Sequence, residues 1–130
     1  MAAVLDAWAI VALLKVEPAA ARVRAVIEDH ESHACSVNLG EAYYSLIRSH
    51  GQRLASERVE RVRQLVTIHD PAWPVTRDAA EIKARGRLSY ADAFCVATAR
   101  WCEAPLYTGD PEIVALDGDD LDVVDLRSAR

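Results

Sequence analysis

The chain has 130 residues, 52% of them hydrophobic, and its 15 Lys plus Arg against 20 Asp plus Glu leave a net charge of -5. That size reads as one domain, residues 1–130, with enough apolar material for a core, and the acidic balance excludes a broad electrostatic grip on nucleic acid. Cys35, Cys95 and Cys102 are odd in number, lack the paired spacing of a zinc site and are too sparse for a secreted disulfide scaffold, so a reducing cytosol is expected.

In chain order, Val4 to Asp6 reads as a short strand, followed by helices over Ala7 to Lys15 and Ala19 to Asp29, with Pro18 suited to a first helical turn. The apolar run to Leu14 is interrupted by Asp6, has no basic segment before it and is too short to span a bilayer, so neither a signal peptide nor a membrane helix is expected. His33 to Val37 reads as a second strand, Glu41 to Ser49 as a helix ending near Gly51, and Ala55 to Val66 as another, with Val59, Val62, Leu65 and Val66 at helical spacing. Thr67 to His69 is a third strand, broken off by Asp70-Pro71. Helices over Thr76 to Arg85 and Tyr90 to Cys102 precede a strand at Leu106 to Thr108, a short helix at Pro111 to Leu116 and a last strand at Leu121 to Val124. Strands alternating with helices predict an α/β fold, a parallel sheet covered on both faces.

Four carboxylates fall at strand-to-helix junctions or in a first helical turn: Asp6, Glu41, Asp92 and Asp110. Each has a bland explanation. Asn38 with Glu41, and Ser89 with Asp92, have capping-box spacing, while Asp6 and Asp110 could be N-caps, the latter followed by Pro111. The set says more than its members. Caps occur wherever helices start, whereas in a parallel sheet these four acids would gather at the carboxyl edge, where open α/β sheets place ligands. Two carboxylates about 4 Å apart repel by roughly 4 kcal/mol at an effective dielectric near 20, so such a cluster calls for a cation. Mg²⁺, with Mn²⁺ as substitute, matches an all-oxygen donor set and keeps waters that can be activated for attack on phosphorus.

In their order and spacing, Val4-Leu5-Asp6-Ala7, Glu41 in Asn38-Leu39-Gly40-Glu41, Asp92 in Leu88-Ser89-Tyr90-Ala91-Asp92-Ala93, and Leu106-Tyr107-Thr108-Gly109-Asp110 resemble the PIN-domain ribonucleases, and within them the VapC-type toxins of toxin–antitoxin pairs. The resemblance spans essentially the whole chain. It implies a three-layer α/β/α fold with a five-stranded parallel sheet, an acidic Mg²⁺ or Mn²⁺ site at the strand carboxyl ends, and endonucleolytic RNA cleavage. It further implies homodimerisation and silencing by a VapB-type antitoxin. Asp6, Asp92 and Asp110 are then the expected metal ligands, Glu41 orients the attacking water, and Thr108 supports a carboxylate or a phosphate oxygen. Gly109 departs from the family, which often has a larger residue there.

Other features read as ordinary surface or core. Lys83, Arg85 and Arg87 form a solvated helix end, with RNA phosphate binding as the weaker reading. Arg58, Arg61 and Arg63, interleaved with Glu57 and Glu60, form an exposed and internally paired face. Asp117-Gly118-Asp119-Asp120 is a solvated loop, and the histidines show no shared helical ligand spacing. Trp8, Tyr43 and Tyr44 are core or dimer contacts, and the helix bearing Tyr43, Tyr44, Leu46 and Ile47 has apolar surface to offer a second copy. Among rivals, a phosphoryl-accepting receiver domain would want a lysine ending a late strand, and a haloacid-dehalogenase-type phosphatase would want an acid where Trp8 stands. The remaining alternative is a PIN-like protein-binding module with an idle metal site. No residue is assigned to substrate binding.

Overall fold

The structure is a computed structural model that describes residues 1–118 and 120–127; Asp119 of the expected solvated loop lies outside them. The chain runs β1 (Ala2–Leu5), α1 (Ala7–Leu14), α2 (Ala20–Asp29), β2 (Glu31–Cys35), α3 (Ser36–His50), α4 (Gln52–Leu65), β3 (Thr67–His69), α5 (Trp73–Arg85), α6 (Tyr90–Cys102), β4 (Leu106–Thr108), α7 (Pro111–Val114) and β5 (Val123–Asp125). All strand pairs are parallel and the order across the sheet is β3-β2-β1-β4-β5. The expected alternation and five-stranded sheet are therefore present.

Both faces of the sheet are buried, because successive strand residues point to opposite sides. Ala3, Leu5 and Ala34 face the layer built from α1 to α4, whereas Val4, Leu106 and Cys35 face α5, α6 and α7. The order of the strands also locates a functional edge. The chain starts at the centre of the sheet, moves outward through β2 to β3, and then returns to the other side of β1 for β4. The winding reverses between β1 and β4, and a ligand crevice opens at the carboxyl ends of strands where it does so.

One boundary differs from expectation in a way that matters. The second strand ends at Cys35, two residues before Val37, and α3 begins at Ser36. Asn38, Leu39, Ala42 and Leu46 recur at helical spacing and are all buried, so packing of that stripe overrides the strand propensity of Val37. Smaller shifts follow the same logic. The helix α4 starts directly after Gly51, whose φ of 87° no side-chain-bearing residue adopts easily, rather than at Ala55. The last strand begins at Val123, because Leu121 instead bridges back to Gly118.

The face of α3 offered as a dimer surface is largely satisfied within the chain. Leu46 is fully buried, Tyr43 and Ile47 pack on the core, and only Tyr44 stands half exposed, under the Arg48 guanidinium at 5.0 Å from the ring centroid. The arginine face of α4 is also more divided than expected. Arg63 pairs with Glu60 at 2.9 Å, but Arg58 donates to the Leu14 carbonyl at the end of α1, so it ties two helices together. Asp117 accepts from the Val123 amide at 2.8 Å and so starts β5. No helix among the described residues is long and apolar enough to cross a membrane.

Candidate active site

Asp6 directly follows β1 and performs two tasks at once. Its Oδ1 accepts from the Ala9 amide at 2.9 Å, capping α1, and its Oδ2 accepts from the hydroxyl of Thr108, the last residue of β4. Thr108 in turn accepts from the Asp110 amide at 3.0 Å, and Asp110 caps α7 by accepting from the Glu112 amide at 2.9 Å. Capping and clustering are thus compatible readings of one residue. Thr108, wholly buried, joins the carboxyl ends of the two central strands where the winding reverses.

Asp92 enters from the first turn of α6, which Ser89 caps by accepting from the Asp92 amide at 3.1 Å. Glu41 comes from α3, and here the expected position needs correction. It lies in the second turn of α3 rather than at the helix start, and the capping box with Asn38 does not exist: Cys35 is the N-cap and makes no side-chain cap bond. Asn38 instead donates its Nδ2 to the Glu41 carboxylate at 3.2 Å and to the Ala91 carbonyl at 2.9 Å, fastening α3 to the first turn of α6. It is fully buried, and among the described residues its Oδ1 has no partner. The spacing from Asn38 to Glu41 was visible in the sequence; its meaning depended on where the helix starts.

These four acids line one open cleft of about 410 Å³ together with Glu17, Trp8 and Tyr44, and among the described residues no Lys, Arg or His shares the lining. Burial is the main cause of the strained electrostatics. It pushes the Asp6 carboxyl up to about 7, against the bonds from Thr108 and Ala9 and with help from the charges of Asp92 and Asp110. Burial likewise raises Glu41, opposed by the Asn38 bond and reinforced by Asp92 and Asp110. Asp92 is raised by burial and then by Asp110, with a smaller push from Glu112, which like the cleft-lining Glu17 is not among the four acids expected from the sequence.

Gly109 has a packing reason. A Cβ there would meet three atoms of the Trp8 indole at 2.3 to 2.4 Å, so the large ring beside Asp6 occupies the space that a side chain at 109 would need. Trp8 and Tyr44 therefore border the acids rather than serving only as core or dimer contacts. Lys83, Arg85 and Arg87 are exposed and do not line the cleft, as the solvated-end reading expects.

The family model of the PIN domain matches residues 3–119. Among solved structures, the chain is similar to DNA-bound VapBC from Salmonella typhimurium, with a TM-score of 0.79 and 15% identity over 97% of this chain and 98% of that one. It is similar to promoter-bound VapBC2 from Rickettsia felis, with a TM-score of 0.77 and 14% identity over 96% of this chain and 98% of the other. It also resembles VapC20 of Mycobacterium tuberculosis, described as a toxin cleaving the sarcin–ricin loop, with a TM-score of 0.75 and 19% identity over 92% and 98% of the two chains. No curated protein matches it by sequence.

Proposed function

The chain belongs to the PIN-domain family, and from that premise we propose that it is a Mg²⁺- or Mn²⁺-dependent endoribonuclease, the VapC-type toxin of a toxin–antitoxin pair. The observation that carries this reading is the cleft itself: these four carboxylates converge at the reversal of the sheet with no cation among the described residues that line it. Oxygen donors of which Asp6, Glu41 and Asp92 are made harder to ionise by burial and by their acidic neighbours fit a hard divalent ion.

Asp6, Asp92 and Asp110 would hold that ion partly through its retained waters, since among the described residues no three of the cleft acids bring their oxygens within 4.8 Å of one another. When bound it supplies positive charge to a scissile phosphate and lowers the pKa of a water. The chain's own groups then position the reactants. Thr108 fixes the Asp6 carboxylate and the loop to Asp110, and Asn38 fixes Glu41, which orients the attacking water and takes up its proton. Tyr44, half exposed at the cleft, offers an aromatic face on which an unstacked base can lie.

Two relatives of similar fold are described as VapBC assemblies, and we assign this chain a VapB-type antitoxin as partner. An arginine or lysine of that partner entering the acidic cleft would substitute for the metal charge and block RNA. Homodimerisation and a cytosolic location complete the proposal; the latter suits three free cysteines.

The test is cleavage of single-stranded or looped RNA by the purified, inhibitor-free chain. Activity requires Mg²⁺ or Mn²⁺, stops with EDTA, and falls by orders of magnitude in Asp92→Asn. Full activity in any two of Asp6→Asn, Asp92→Asn and Asp110→Asn overturns the assignment. Metal-independent binding of a protein partner without cleavage would instead identify a binding module.

A further inference from the structure

A second cluster of donor atoms lies away from the cleft. His33 in the middle of β2, His69 at the end of the edge strand β3, and Cys102 at the end of α6 bring one ligand atom each within 4.8 Å of one another. Among the described residues no other set of three histidine, cysteine or acidic side chains meets that spacing. The sheet makes the arrangement. Parallel pairing sets Cys35 opposite His69, which leaves His33 two residues back on the same face, the face α6 covers. Asp92 and Cys102 are ten residues apart on α6, so helical rise separates the two sites by about 15 Å.

The hydrogen bonds around His33 orient it as a ligand. Its Nε2 lies 3.0 Å from the Glu31 carboxylate and therefore carries the proton it donates there, which leaves Nδ1 with a lone pair directed at the cluster. The His69 Nε2 approaches that lone pair at 2.8 Å. A carboxylate holding the far nitrogen of a histidine is the arrangement that fixes tautomer and ring orientation at zinc. The fit in size is also close. Tetrahedral zinc with Zn–N of about 2.0–2.1 Å and Zn–S of about 2.3 Å separates its donor atoms by roughly 3.3–3.6 Å. The two imidazoles need to open only slightly.

We propose that His33, His69 and Cys102, with Glu31 behind His33, form a site for Zn²⁺ that fastens the edge strand β3 to β2 and to the end of α6. Ionisation of the Cys102 thiol releases one proton to solvent, and the proton that His69 Nε2 donates to His33 Nδ1 in the metal-free chain is exchanged through solvent to His69 Nδ1, so that Nε2 faces the ion. Thiolate and Glu31 carboxylate together neutralise the divalent charge. Solvent completes the fourth position. Nitrogen and sulfur donors favour a borderline-soft ion over Mg²⁺, so the two sites select different metals.

The test uses the full chain stripped by chelator, with excess Mg²⁺ to occupy the acidic cleft and Co²⁺ as the spectroscopic probe. Expected is a thiolate-to-cobalt charge-transfer band that saturates at one equivalent and is bleached by Zn²⁺. In Cys102→Ser the band disappears. Zinc binding weakens at least about 10-fold in His69→Gln and by about 10-fold in Glu31→Gln. Both Cys102→Ser and His69→Gln should keep the parent's far-ultraviolet circular dichroism and, where the parent cleaves RNA, its Mg²⁺-dependent rate. Absence of a thiolate band at saturating Co²⁺ overturns the proposal. So does unchanged zinc affinity in His69→Gln and Cys102→Ser.

Discussion

The two ends of α6 stand beside two polar clusters built on opposite principles. Near its first turn, Asp92 joins three other acids, and burial together with its acidic neighbours makes it harder to ionise. At its last turn, Cys102 meets two histidines that already satisfy each other, with Glu31 behind them. The cleft is assembled from residues at the carboxyl ends of the central strands, the histidine cluster from within two neighbouring strands at the edge. One is a place where a substrate can enter; the other can hold an edge together.

Substitution should separate them most strongly. Asp6→Asn or Asp110→Asn should reduce RNA cleavage about 1,000-fold or more, roughly 4 kcal/mol of barrier, while zinc binding changes by less than about 2-fold. Cys102→Ser should show the reverse pattern. Loss of both properties in either variant would mean that the clusters are coupled and the comparison is wrong.

Stability against pH should separate them by sign. In the folded chain the Asp6 carboxyl is carried from 3.8 to about 7, so between those values the native state holds a proton that the unfolded state has released. Stability therefore falls as pH rises from about 4 to 7 and is level above, an effect on the order of 4 kcal/mol that Mg²⁺ should diminish. His69 acts the other way. Burial, then the neighbouring His33, lowers its pKa, so the unfolded state binds more protons below about 6.5 and stability falls as pH drops. Denaturant midpoints measured in metal-free buffer should show the net of two opposed slopes below about pH 7, and Asp6→Asn should remove the largest part of the fall with rising pH, leaving the smaller contributions of Glu41 and Asp92 and the opposite slope of His69. A parent and Asp6→Asn with the same profile would remove burial of Asp6 as its cause.

The contrast also explains what the amino-acid order revealed. Acids after short apolar runs could be read directly, because a strand end followed by a helix start is a local pattern, and β3, α6 and β4 have the expected bounds. Asn38 was misread because its role depends on α3 beginning at Ser36, which the buried stripe through Leu46 decides and no local signal marks. The His33, His69 and Cys102 cluster had no signal at all. Its members are separated by 36 and 33 residues, and only the register of β2 with β3 and the length of α6 bring them together.

A smaller effect is expected where Trp8 covers the loop between Thr108 and Asp110. Gly109→Ala should destabilise by about 1–3 kcal/mol, since the added methyl overlaps the indole and the loop is tied on both sides. In a Trp8→Leu background the same change should cost less, with a coupling of at least about 0.5 kcal/mol. Strict additivity in thermal or denaturant unfolding would show that the loop, not the ring, resists the side chain.

The smallest change is expected from Asp92→Asn without metal. Asp92 does not supply the cap of α6, because Ser89 does, so the substitution removes a like charge beside Asp110 and Glu112 and leaves the helix start intact. The Ser89 bond that eases its ionisation opposes part of this gain, and its partial exposure lets solvent screen the rest. Near neutral pH the variant should therefore equal the parent or exceed it by no more than about 1 kcal/mol. Mg²⁺ should then reverse the order. By mass action it raises the melting temperature of the parent, and it raises that of the variant much less because one ligand is gone. Equal metal-induced shifts in both proteins would reduce Asp92 to a residue of the helix start and leave the cleft without its partner from α6.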